Sequence, residues 1–282
     1  MKERPGEFPT REPAGFLSIS AQAKESVTRP SMPTRPIYPL QQIMTTHYYI
    51  RPLEITPSDN VHIIVAAGSG SRYGGNLPKQ FCDLAGRPLL MTTLERLHAA
   101  TPDWKLIVVL SAEMIDEWLK MCGEHDFTLP HLITTGGATR AHSVRNALSL
   151  IPADSQAYVS IHDAARPVIT TTLINRLIEG LPGSDGVIPA CPVTDSIRRV
   201  GADGSSAAVD RSSLRSVQTP QIFPAPRLLA AYRQELRPTF TDDASVMEAA
   251  GFTDLRLIDG DPHNIKVTNP GDMAVAELYL NL

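Results

Sequence analysis

The sequence predicts a three-layered α/β protein: a mostly parallel sheet, helices on both faces, and one protruding β-hairpin arm. Three observations carry this. From Val61 onward, short apolar runs alternate with stretches of helical length and period, the pattern of βαβ units. After Pro192 the alternation lapses into a polar stretch around a Gly/Ser turn, which predicts an antiparallel hairpin leaving the main sheet. Before residue 60 neither pattern exists.

The elements follow in chain order. Nine of the 24 prolines lie before Asn60, in phrases such as "TRPSMPTRPIYPL". Proline at this density prevents helix and central strand, so residues 1–59 read as a Pro-rich, disordered extension. It lacks the charged, apolar and small-residue regions of a secretory signal. Glu3, Glu7, Glu12 and Glu25 argue against a transit peptide, and Met44 is an alternative start. Strand-like runs are "VHIIVAA" from Val61, "WKLIVVLS" from Trp104, "HLITT" from His131, "AYVSIHD" from Ala157, "DGVIPAC" from Asp185 and "LRLID" from Leu255. Between the early ones, helical patterns begin at Pro88, Ala112, Thr139 and Thr171, and later helices are expected at about 225–236, 242–250 and 270–280. The arm spans about Val193 to Gln218, and residues 60–282 form one domain.

Composition narrows the function classes. Hydrophobic residues make up 42% of the chain and charged residues 20%, with a formal net charge of −4. No global basic field invites nucleic acid, so any anion site must be local. No apolar run approaches the roughly 18–20 residues of a membrane span. Cys82, Cys122 and Cys191 include no CxxC pair, which favours reduced thiols and a cytoplasmic location.

In open parallel sheets ligands bind beyond the carboxyl ends of the strands, and the residues there are distinctive. The first strand runs into "AAGSGSRYGGNLPKQF", Ala66 to Phe81. Gly68, Gly70, Gly74 and Gly75 allow positive φ and inward N–H groups, while Arg72 and Lys79 supply cations, together suiting a phosphate cradle. A dinucleotide, a nucleoside triphosphate and a plain connecting loop all remain open here. A dinucleotide fingerprint needs its third glycine one position earlier, and the Walker A pattern is absent. After the third strand, Gly136 and Gly137 let the backbone approach a planar base, with Ser143 a turn later. After the fourth, "HDAARP" puts Asp163 and Arg166 together, and "NIKVT" places Lys266 in a short extended stretch.

Eight motifs occur in order: "AAGSGSRYGGNLPKQF", "GGATRAHSV", "HDAARP", "PVTDSI", "VDR", "TPQIF", "TDDAS" and "NIKVT". Together they resemble the 2-C-methyl-D-erythritol 4-phosphate cytidylyltransferase family of the non-mevalonate isoprenoid pathway, from about Val61 to Leu282. The sister ribitol 5-phosphate cytidylyltransferases share most of this framework, and an NAD(P)-dependent oxidoreductase is the alternative from another class. The resemblance implies a Rossmann-like nucleotidyltransferase fold. It also implies transfer of a cytidylyl group from CTP to a polyol phosphate, with Mg²⁺ held mainly by the CTP phosphates and Asp163 a possible ligand.

By the same resemblance, Arg72 and Lys79 hold the triphosphate and stabilise the transition state, and Lys266 lies close to the α-phosphate. Ala66, Ala67, Gly68, Gly70, Gly137, Ala138 and Ser143 match the nucleotide-binding positions. Asp163, Ala164 and Arg166 match the segment between nucleotide and polyol. Ser196, Arg211, Thr219 and Thr241 match the polyol-phosphate pocket, Ser196 and Arg211 on an arm that reaches into the partner subunit of a homodimer. The departures are Tyr73 for a methionine, Ala138 for an acid and Ser196 for a threonine.

Overall fold

The structure, a computed structural model, describes residues 53–68 and 77–282. Most of the expected extension, together with Gly70, Arg72, Tyr73, Gly74 and Gly75, lies outside the described residues.

Strands β1 (Val61–Val65), β4 (Lys105–Leu110), β5 (Leu132–Thr135) and β6 (Tyr158–Asp163) form the parallel centre of an eight-stranded sheet, in the order β5-β4-β1-β6. Helices α1 (Leu89–Ala100), α2 (Ile115–Glu124), α3 (Arg140–Leu148) and α4 (Thr171–Gly180) follow the expected positions, with a short 3-10 turn opening the second. A two-strand ribbon, β2 (Asp83–Leu84) with β3 (Arg87–Pro88), precedes α1. Parallel strands buried on both faces are apolar at consecutive positions. Ile64 and Val108 accordingly pack with α1, α2 and α4, while Ile63 and Val109 pack with α3, α5 (Ala225–Ala231) and α6 (Asp243–Ala249). A third cluster seats α7 (Pro270–Leu280) through Ala276 against Leu84, Leu89, Val168 and Val267.

Beyond β6 the sheet is mixed. Strand β7 (Gly186–Pro192) is flanked on one side by β12 (Leu255–Asp259), parallel to it. On its other side run two antiparallel pieces, β10 (Arg215–Val217) and β11 (Gln221–Pro224). Of the stretch from Val193 to Gln218 assigned to the arm, β10 thus belongs to the main sheet, and the following β11 lies between β6 and β7 and pairs with both. Phe223 presses so closely on Gly186 that a Cβ there would come within 2.3 Å of its ring.

The arm itself is β8 (Ile197–Val200) and β9 (Ser206–Val209), an isolated antiparallel pair. Gly204, with φ +80°, turns the hairpin, and nearly all of it is exposed.

At the other end, the domain begins earlier than composition suggests. Half-buried Ile55 packs on the core, and the Pro57 carbonyl accepts from Ser155 Oγ at 3.0 Å and Gln156 N at 3.2 Å. Residues 53–59 therefore belong to the domain, because a sparse apolar contact and two backbone bonds leave no periodic trace.

Candidate active site

The carboxyl ends of β1, β5 and β6 open onto a cleft of about 670 Å³. It is lined by Ala66, Ala67 and Gly68, by Gly137, Ala138, Arg140 and Ser143, by Asp163 and Ala164, and by Lys79 and Lys266. Five chain segments that are far apart in sequence meet here.

The base-side wall is locked by its own backbone. Thr139 caps α3 by accepting from His142 N. Ser143 Oγ donates to the Thr139 carbonyl and accepts from Gly137 N, both at 3.0 Å. Its hydroxyl is thus spent within the loop. The glycines are needed for close approach within the protein rather than to a ligand: a Cβ on Gly136 would stand 2.4 Å from Ala67 Cβ, and one on Gly137 would stand 2.5 Å from His142 Cβ. Gly68, by contrast, has ordinary φ and no described residue within 4 Å of a would-be Cβ, so the positive φ expected there is not used.

Lys79 opens the short 3-10 turn after the glycine-rich loop, and its Nζ donates to the Val267 carbonyl at 2.7 Å. The next residue carries no charge and no motif role in the sequence, yet it holds the loop. Buried Gln80 donates to the carbonyls of Ala66 (2.6 Å) and Gly68 (3.1 Å), tying the loop's exit to its entrance.

Asp163 is the electrostatic centre. Lys266 Nζ lies 2.6 Å from its Oδ2 and Arg140 Nε 3.1 Å from its Oδ1. Burial alone would raise the Asp163 carboxyl, but Arg140 and Lys266 outweigh it and hold it well below the usual carboxylate range. It is an anion at any physiological pH. Its backbone N–H donates to Thr219 Oγ at 3.0 Å. The Thr219 hydroxyl is then left to donate to His162 Nδ1 (3.2 Å), and His162 Nε2–H donates to the Arg166 carbonyl (3.0 Å). Only the Nε2–H tautomer of a neutral imidazole satisfies this chain, and burial does keep His162 neutral, its pKa pushed down to about 4.

Other expected site residues stand apart from the cleft wall. The Arg166 guanidinium donates to the Asn264 carbonyl at 2.8 Å, bracing the loop that carries Lys266. Thr219 is buried behind Asp163. Thr241 is exposed beside α6, and Ser196 and Arg211 are exposed on the arm, where Arg211 donates to the Thr194 carbonyl.

As for a metal, no three His, Cys, Asp or Glu side chains cluster among the described residues, and both Asp163 oxygens are engaged by cations. The donor set does not make a protein cage for a divalent ion.

A model of the family described as 2-C-methyl-D-erythritol 4-phosphate cytidylyltransferase matches residues 61–282. A Bacteroides fragilis protein of that name is 43% identical over 218 residues, covering 77% of this chain and 98% of its own. The crystal structure of a 4-diphosphocytidyl-2C-methyl-D-erythritol synthase superposes with a TM-score of 0.66 at 32% identity, over 79% of this chain and 99% of that one. The 2-C-methyl-D-erythritol 4-phosphate cytidylyltransferase of Thermus thermophilus does so with a TM-score of 0.63 at 29% identity, over 79% and 100%.

Proposed function

The chain belongs to the 2-C-methyl-D-erythritol 4-phosphate cytidylyltransferase family, and we propose that the cleft performs the family's reaction in the following way. CTP and 2-C-methyl-D-erythritol 4-phosphate give 4-CDP-2-C-methyl-D-erythritol and pyrophosphate. A phosphate oxygen of the polyol attacks the α-phosphorus of CTP; that P–O bond forms as the bond to the departing pyrophosphate breaks. The nucleophile is already an anion near neutral pH, so no general base is required. The work is positioning two polyanions and stabilising the charge that grows on the leaving group.

One observation carries this reading: Lys79 and Lys266, 187 positions apart in sequence, line one cleft at the strands' carboxyl ends. Lys79, with Arg72 from the glycine-rich loop, holds the triphosphate. Lys266 is oriented by Asp163 toward the α-phosphate. Ala66, Ala67, Gly137 and Ala138 receive cytosine and ribose through backbone groups, and Ser143 supports them from within the loop. Mg²⁺, when bound, would be held mainly by the CTP phosphates and would neutralise part of their charge.

Ser196, Arg211 and Thr241 take the polyol phosphate, the first two from the arm of a second subunit, which makes the enzyme a homodimer with shared sites. Their exposure, away from their own subunit's cleft, supports this assignment. No described helix is long and apolar enough to cross a membrane, and no disulfide joins the three cysteines. Both observations fit a cytoplasmic enzyme.

A pyrophosphate-release assay over the four nucleoside triphosphates, each with methylerythritol phosphate and with ribitol 5-phosphate, tests the function. Turnover is expected with CTP and methylerythritol phosphate. Preference for ribitol 5-phosphate would move the protein to the sister activity.

A further inference from the structure

Arg140 occupies an improbable position. It is the first residue of α3, directly after the Thr139 cap, where the positive end of the helix dipole disfavours a cation. It is largely buried as well. What offsets both costs is a pair of acids from two other segments: Asp163 at the end of β6, and Asp243, fully buried at the start of α6. Arg140 Nη2 stands 2.8 Å from Asp243 Oδ2 as an ion pair, off the line of a hydrogen bond. The Tyr232 hydroxyl, from the end of α5, donates to the other Asp243 oxygen at 2.6 Å. Together these contacts make one continuous row, Tyr232–Asp243–Arg140–Asp163–Lys266, in which two carboxylates balance two cations.

Arg140, Asp163 and Lys266 all line the cleft, and Lys266 is the most exposed of the row, its side chain 45% accessible against 25% for Arg140 and 12% for Asp163. Each oxygen of Asp163 has one cationic partner, so the torsion of that carboxylate, and with it the place of the Lys266 ammonium, depends on where the guanidinium sits. The guanidinium is fixed in turn from behind by Asp243 and Tyr232. We propose that Arg140 is a positioning residue: through Asp163 it sets the place of Lys266 in the cleft, while Asp243 and Tyr232 hold Arg140 in register. This rests on the reaction proposed above. The arginine fork is essential to it, because one planar group reaches both acids from different nitrogens, which an ammonium cannot do.

The test is a double-mutant cycle between Arg140→Lys and Lys266→Ala, with kcat, the KM for CTP and the melting temperature measured for each variant. Wild-type turnover of CTP with methylerythritol phosphate is the control; without it the functional reading fails before this inference is reached. Arg140→Lys keeps the charge that balances Asp243, and is expected to lower kcat about 10- to 100-fold with the KM for CTP within about threefold. In the Lys266→Ala background the same change should cost almost nothing more, since the two residues act as one unit.

Additive losses would overturn the proposal. So would a raised KM for CTP at unchanged kcat, which would put the guanidinium on the nucleotide itself. If Arg140→Lys fails to fold, Arg140→Gln with Asp243→Asn removes both charges together. Recovery of melting temperature without recovery of kcat supports the positioning role, and recovery of both reduces Arg140 to a counter-ion for Asp243.

Discussion

A β-carbon placed on Gly136 would stand 2.4 Å from that of Ala67, closer than real Cβ atoms approach one another. The base-side loop and the end of β1 are therefore in contact only because residue 136 has no side chain. Gly136→Ala must push the two apart, and a shift of that size in a nucleotide pocket is expected to raise the KM for CTP by on the order of tenfold or more. Gly68→Ala is the internal comparison. Among the described residues nothing lies within 4 Å of its would-be Cβ, so its melting temperature should match wild type. An unchanged KM for CTP in Gly136→Ala would show that the contact has no bearing on nucleotide binding.

Lys79 meets Val267 across 188 positions of sequence, its Nζ donating to that residue's carbonyl. Lys79→Ala should leave the melting temperature within a few degrees of wild type while lowering kcat by on the order of 10²–10³, the usual cost of losing one oriented cation at a transition state. Turnover within a few-fold of wild type at saturating substrates would remove Lys79 from the reacting centre.

Among the described residues, three histidines are buried in neutral form. Burial pushes His62 down to about 3, and His131 and His162 to about 4, against about 6.5 for a free imidazole. Below pH 6.5 the unfolded chain takes up protons that the folded one refuses. Stability is therefore complete above about pH 6.5 and declines as pH falls toward 4, by up to about 1.4 kcal/mol per pH unit for each ring. In His131, Nε2 accepts from Trp118 Nε1 at 3.0 Å and Nδ1 bonds the Leu129 carbonyl. His131→Gln should cut the slope of unfolding free energy against pH between 6.5 and 4.5 by about a third of the histidine contribution. An unaltered slope would mean that His131 does not titrate on unfolding in that window.

The arm supplies the fourth prediction. Among the described residues β8 and β9 pair only with each other, and Val200 is 70% exposed. If the arm reaches into a neighbour with two-fold symmetry, Arg211→Ala should raise the KM for the polyol phosphate and spare CTP binding. Mixing Arg211→Ala with Lys79→Ala under subunit exchange would then give heterodimers with one doubly defective site and one intact site, and activity should return. No recovery, with exchange verified by native mass spectrometry, would place Arg211 in the site of its own chain.

What the sequence determined by itself is whatever a local pattern encodes. The alternation of short continuous apolar runs with stretches of 3.6-residue period located the strands of the parallel centre and the helices between them. Glycines, cations and Asp163 at successive strand ends marked the edge where the cleft lies, because parallel strands bring their carboxyl ends to one side. Tertiary structure decided what depends on partners far along the chain. "QIF" becomes a buried strand because Gly186 leaves room for Phe223 and because the amide of Gln221 is satisfied by Asp242 and Ala244 N. Arg140 carries no mark in "ATRAHS" beyond sitting at the wrong end of a helix dipole. Its meaning comes from Asp243, about a hundred residues on, and the cost of burying a charge without a partner is what draws the two together.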